Sequence, residues 1–102
     1  MLTEDTLTVR PFPAYRGTDS YIFASYAHAD AGEVYSHLED LRSRAFNIWY
    51  DEGIEPGESW REELATAIEN ATRVIYFVSP RSVASRNCIK EINFALSRQV
   101  PI

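Results

Sequence analysis

Few residues in this chain have the type and spacing to do chemistry, and one carboxylate stands out. Glu91 lies early in a segment of helical spacing, two positions from the apolar Ile89 and so about 200° around the helix from it. Its neighbours at three and four residues are Asn87, Cys88, Phe94 and Ala95, a mixed polar and apolar surface. Such a glutamate either pairs with a local base on the surface or faces a crevice. Ser25 can donate a hydrogen bond, and Tyr26 beside it either lines a pocket or merely ends its strand. His28 and Asp30 have the chemistry of an acid–base pair, although Asp30 is better explained as a helix cap. Cys88 reads as a packed thiol, because no histidine lies near it in sequence to activate it. It is the one cysteine, so neither an internal disulfide nor a thiolate zinc cluster can form. His28 and His37 are too few and too scattered for a metal site. There is no GxGxxG and no P-loop, so a dinucleotide would not be held as a Rossmann cofactor.

The elements that position these residues alternate along the chain. Residues 1–18 contain Pro11, Pro13 and Gly17 without periodicity and read as a lead-in or linker. The domain proper is expected over residues 19–102. Tyr21 to Tyr26 is an apolar, aromatic run long enough for a buried strand. Asp30 with Glu33 predicts a capping box, followed by a stripe of Val34, Leu38, Leu41 and Ala45. Phe46 to Tyr50 returns to strand character. Asp51 to Glu58, with two glycines and a proline, is a loop. Ser59 and Glu62 predict a second capped helix burying Trp60, Leu64, Ala67, Ile68 and Ala71. Val74 to Val78 reads as a central strand buried on both sides. A third helix is expected over Cys88 to Ser97 with Ile89, Ile92 and Leu96 inward, and Val100 to Ile102 begins another strand. This order predicts an α/β parallel sheet with helices on its faces. In that topology ligands gather beyond the carboxyl ends of the strands, where Ser25-Tyr26, Asp51 to Gly57 and Ser79-Pro80 all lie.

Composition narrows the function classes. The net charge of −5 disfavours a nonspecific nucleic-acid binder. Asp51 to Glu63 carries six acids against Arg61 alone, whereas five bases face Glu91 alone from Arg73 to the end. The two blocks are either solvated faces or the poles of a module that docks head to tail with its copies. No apolar run approaches the length of a membrane span, and the acidic start, with Glu4 and Asp5, is unlike a secretory signal. A cytoplasmic protein with no membrane partner is expected.

Four segments, in order, resemble a bacterial-type TIR (Toll/interleukin-1 receptor) domain. Tyr21-Ile22-Phe23-Ala24-Ser25-Tyr26-Ala27-His28-Ala29-Asp30 is similar to the first strand and its turn. Trp49-Tyr50-Asp51-Glu52-Gly53-Ile54-Glu55-Pro56-Gly57 resembles the second strand and the BB loop. Phe77-Val78-Ser79-Pro80 resembles the third strand and its turn, and Arg86 to Ile92 the helix carrying the family's glutamate. The resemblance implies a flavodoxin-like fold with five parallel strands, of which this chain reaches the start of the fourth and so is incomplete at the C-terminus.

The resemblance also implies chemistry. TIR enzymes cleave NAD at the bond between nicotinamide and ribose, and their catalytic glutamate falls at Glu91. NAD is then a substrate, no cofactor is needed, and the product is hydrolysed or cyclic. Ser25, Tyr26, Trp60 and Asn87 are the implied substrate-binding residues, Trp60 offering an aromatic face unless it is a core anchor. Asn87 departs from the family, whose enzymatic members commonly carry Trp there. The BB loop (Asp51, Glu52, Gly53, Ile54, Glu55, Pro56, Gly57 and Glu58) implies self-association with other TIR domains, as in bacterial immunity. The alternative is a module that assembles without catalysis.

Overall fold

The computed structural model describes residues 10–51 and 62–102. Residues 52–58 of the expected BB loop, and with them Ser59 and Trp60, lie outside the described residues. Three short strands, β1 (Ile22–Ser25), β2 (Ile48–Tyr50) and β3 (Arg73–Tyr76), form a parallel sheet in the order β2-β1-β3. The register sets Phe23 beside both Trp49 and Val74. Side chains alternate across a sheet, so these three share one face. There they pack with Leu64, Ala67 and Ile68 of α2 (Glu62–Asn70) and Ala95 of α4 (Arg86–Ser97). Ala24, Ile48 and Tyr50 take the other face, against Val34 and Leu38 of α1 (Ala31–Ser43). Helices therefore cover both faces, and the fold is α/β and flavodoxin-like. A further short helix, α3 (Pro80–Val83), follows β3 under a capping box between Ser79 and Ser82; the sequence reading did not anticipate it.

Phe23 sits at the middle of the sheet, fully buried and stacked on Trp49 with ring centroids 5.1 Å apart. Phe23→Ala should cost about 3–5 kcal/mol, the transfer term plus the cavity left beside Trp49. Urea titration would read this as a lower midpoint at unchanged m-value.

Several expectations are corrected. Among the described residues β1 is the central strand: it pairs on both sides, whereas the outer flank of β3 meets only the Pro101 carbonyl, which accepts from Val74 N–H at 2.7 Å. Val74 is accordingly buried, Ile75 and Tyr76 are half-buried, and Val78 is exposed. Val100 is buried, yet no strand is formed over 100–102. Asp30 makes no capping hydrogen bond to α1, because its carboxylate is taken by the stronger donors Ser79 and Arg81. Ala45 does not extend the apolar stripe of α1; it follows the helix end with φ of 72°, a left-handed turn. In α4, Ile89 and Leu96 are exposed, and Cys88, Glu91 and Ala95 form the buried stripe. The small side chains of Cys88 and Ala95 let the helix approach the sheet, and Ser25 supplies a partner for the carboxylate between them.

The lead-in is docked onto the sheet. Tyr15 N–H donates to the Ile48 carbonyl at 2.8 Å, Ala14 is buried, and the Tyr50 hydroxyl donates to the Phe12 carbonyl. Arg42 lies over the Phe12 ring and Arg16 over Trp49, where Arg16 also pairs with Glu63 at 2.8 Å. Residues 12–16 thus run along the outer flank of β2.

Candidate active site

The carboxyl ends of the strands converge as the topology requires. Ser25 ends β1, Tyr26 follows it, and Asp51 follows β2. α4 approaches from the face of Phe23, its start fixed by Ser85, whose side chain accepts from Cys88 N–H at 3.2 Å. Cys88, Glu91 and Ala95, spaced by three and four, form one helical face turned toward the sheet.

Glu91 is buried, with 5% of its surface exposed, and Ser25 Oγ donates to its Oε1 at 2.6 Å. Burial pushes the carboxyl up to about 7, since a desolvated carboxylate loses hydration that a single hydroxyl does not replace. The Ser25 hydrogen bond works in the opposite direction, and the negative charge of Asp51 adds to the rise. Cys88 packs in the same cluster. Its thiol is raised by burial and by the charges of Glu91 and Asp30, partly offset by hydrogen bonds with Ser85 and Ser25.

Tyr26 lies just past the end of β1. It is buried, and its hydroxyl donates to the Asp51 carbonyl at 2.8 Å and lies 3.4 Å from the Tyr35 hydroxyl. It thereby ties the end of β1 to the end of β2. Burial drives its phenol upward, so it stays neutral. Asp51 is buried as well, 3.8 Å from His28 Nε2. On the other side of the turn after β1, buried Asp30 accepts from Ser79 Oγ and from Arg81 Nε, and these bonds lower its carboxyl. Among the described residues no group of three or more His, Cys, Asp or Glu could hold a metal ion.

Of the sequence candidates, then, the structure brings Ser25 and Glu91 into contact and joins Tyr26 to Asp51. Asn87 is exposed one helical turn before Glu91 and is not drawn into the Ser25–Glu91 contact. Asp51 was expected at the ligand end of the strands and as part of the interacting BB loop, not as a buried partner of Tyr26. Arg81 carried no such signal, because its partner Asp30 is 51 residues away.

The arrangement can hold one carboxylate near neutrality, poised between its charged and neutral forms, with a second carboxylate nearby. Ionised, it suits hydroxyl groups and developing positive charge. A family model for the TIR domain matches residues 22–102. The chain is also 31% identical over 80 residues to the 2' cyclic ADP-D-ribose synthase BtTIR of Bacteroides thetaiotaomicron, covering 76% of this chain and 28% of that protein. The chain thus spans less than a third of the length of this relative.

Proposed function

This chain belongs to the TIR domain family, and from that premise we propose that it processes NAD at the nicotinamide–ribose bond, with Glu91 as its catalytic carboxylate. The observation that carries this reading is the buried Ser25–Glu91 hydrogen bond of 2.6 Å at the carboxyl ends of the strands. The name of the relative from Bacteroides thetaiotaomicron supports the substrate class.

The chemistry needs little from the protein. The C1′–N bond breaks with its electron pair passing to the pyridinium nitrogen, so nicotinamide leaves neutral and without a proton. The ribose is left oxocarbenium-like. Glu91 accepts from the ribose hydroxyls and offsets the positive charge at C1′, while Ser25 fixes the carboxylate and Asp51 adds to the negative field. In this reading Tyr26 and Asn87 contact the substrate, as does Trp60, which lies outside the described residues. Capture of C1′ by water gives ADP-ribose; capture by a nucleophile of the substrate itself gives a cyclic ADP-ribose. NAD enters as substrate and no further cofactor is required. We place the activity in the cytoplasm; among the described residues no helix is long and apolar enough to cross a membrane.

The direct test is nicotinamide release from NAD by concentrated purified protein, followed by chromatography. Release above the uncatalysed rate supports the reading. Silence from folded, associated protein leaves the second reading, a TIR module that assembles with its copies without turnover. The exposed Asn87, where enzymatic relatives commonly carry Trp, is the observation on that side.

Both readings include self-association, through the acidic stretch from Asp51 to Glu58 and the bases from Arg73 onward. Glu55→Lys with Glu58→Lys should weaken it roughly tenfold at low ionic strength, with variant and parent converging at high salt. Superimposable sedimentation profiles at low salt would remove the charge argument.

A further inference from the structure

Arg81 stands apart from the other bases at this end of the molecule. Its Nε bonds to Asp30, whose side chain is only 5% exposed, while Arg81 itself is 55% exposed. Asp30 is its one hydrogen-bonded partner among the described residues, with Glu33 adding a more distant attraction. The two terminal nitrogens therefore keep their N–H groups unbonded, on a guanidinium whose direction is fixed by a buried carboxylate. Asp30 is held in turn by Ser79, directly before α3. Arg86 and Lys90 are exposed on the first turns of α4 and have no such anchor among the described residues.

The neighbourhood connects to the cleft. Phe77 N–H donates to the carbonyl of Ser25, the residue that holds Glu91, at 2.9 Å, and Ser79 two residues further on holds Asp30. A groove of about 320 Å³ opens beside Asp30, lined by it and by Glu33, His37, Phe77 and Ser79 among others. An anionic group bound among these carboxylates needs a cation to offset them. Glu91, Asp51 and Asp30 suit the cationic nicotinamide riboside half of NAD, but all three oppose its anionic pyrophosphate.

We infer that Arg81, oriented by Asp30, receives the pyrophosphate of the dinucleotide and makes the site selective for dinucleotides over nicotinamide riboside. The inference rests on the NAD reading above for its substrate. Its physical content is a planar donor fork, preorganised by a buried acid and offered to phosphate oxygens.

The test compares the parent, Arg81→Gln and Arg81→Lys on NAD and on nicotinamide riboside, which lacks the pyrophosphate. Arg81→Gln should raise KM for NAD about tenfold with kcat held within about twofold, the pattern of lost ground-state binding. KM for nicotinamide riboside should not move, and Arg81→Lys should recover part of the loss. Equal losses on both substrates, or none on NAD, would overturn the inference. Calorimetric titration with inorganic pyrophosphate gives a readout that does not need turnover. The parent should bind it in a salt-dependent manner, and Arg81→Gln should bind it about tenfold more weakly. Arg81-dependent binding without NAD cleavage would uphold the anion site and sink the cleavage reading. Equal binding by parent and variant sinks the anion site itself.

Discussion

Glu91→Gln should release no nicotinamide from NAD above the uncatalysed rate, a loss of at least about 1,000-fold in kcat, while leaving the fold and self-association intact. The amide has nearly the volume of the carboxylate, and its carbonyl oxygen can still accept from Ser25 Oγ, the bond now 2.6 Å long. What disappears is the charge. In a pocket where Glu91 is 5% exposed, water cannot substitute for that charge as positive character grows at C1′. Turnover by Glu91→Gln within tenfold of the parent would remove Glu91 from the mechanism. A second arm is the pH profile of the parent. With the carboxyl at about 7, kcat should rise as pH increases through neutrality and level off above it.

The same substitution should stabilise the protein at alkaline pH. Glu91 titrates at about 7 in the folded state against an ordinary value of 4.5, so the folded state holds its proton more tightly. Its contribution to stability is fully present below about pH 4.5 and is lost as pH rises through 7. The shift corresponds to a loss on the order of 3 kcal/mol. Glu91→Gln has no such proton to lose. In urea unfolding of both proteins, the variant should therefore gain on the parent between pH 5 and pH 8, by an amount of that order. The difference between the two curves isolates Glu91 from Asp30, whose lowered carboxyl acts in the opposite direction. Parallel curves would mean that the buried carboxylate is far better solvated than its surroundings imply. A site residue that costs stability in its active form is what a function-bearing position should look like.

Much of this could be read from the order of residue types. The runs of aromatic and β-branched residues ending at Ser25 and Tyr50 marked strands, and the polar residues just past them marked the ligand end. Ser25, Tyr26 and Glu91 followed from that placement and from the resemblance of their segments to TIR domains. What escaped was the rotation of α4. Apolar spacing favoured Ile89 and Leu96 as core, but the helix turns Cys88, Glu91 and Ala95 inward instead. Hydrophobicity alone ranks a glutamate as surface; only the Ser25 hydroxyl, 66 residues away, makes its burial tolerable. Asp30 misled for a related reason. Its local pattern was that of a cap, and the donors that claimed it, Ser79 and Arg81, come from beyond β3. Strand order was equally nonlocal. The run from Val74 to Val78 is the more uniformly apolar, yet pairing on both sides makes β1 the centre.

The docked lead-in gives the sheet a direction of growth. Along the outer flank of β2, the Ile48 carbonyl is already occupied by Tyr15, and Pro13 has no N–H to offer a newcomer. Among the described residues the flank of β3 carries a single backbone bond, from Val74 to Pro101. The lead-in therefore acts as a stop on the β2 side, and a further strand of the sheet is directed to β3.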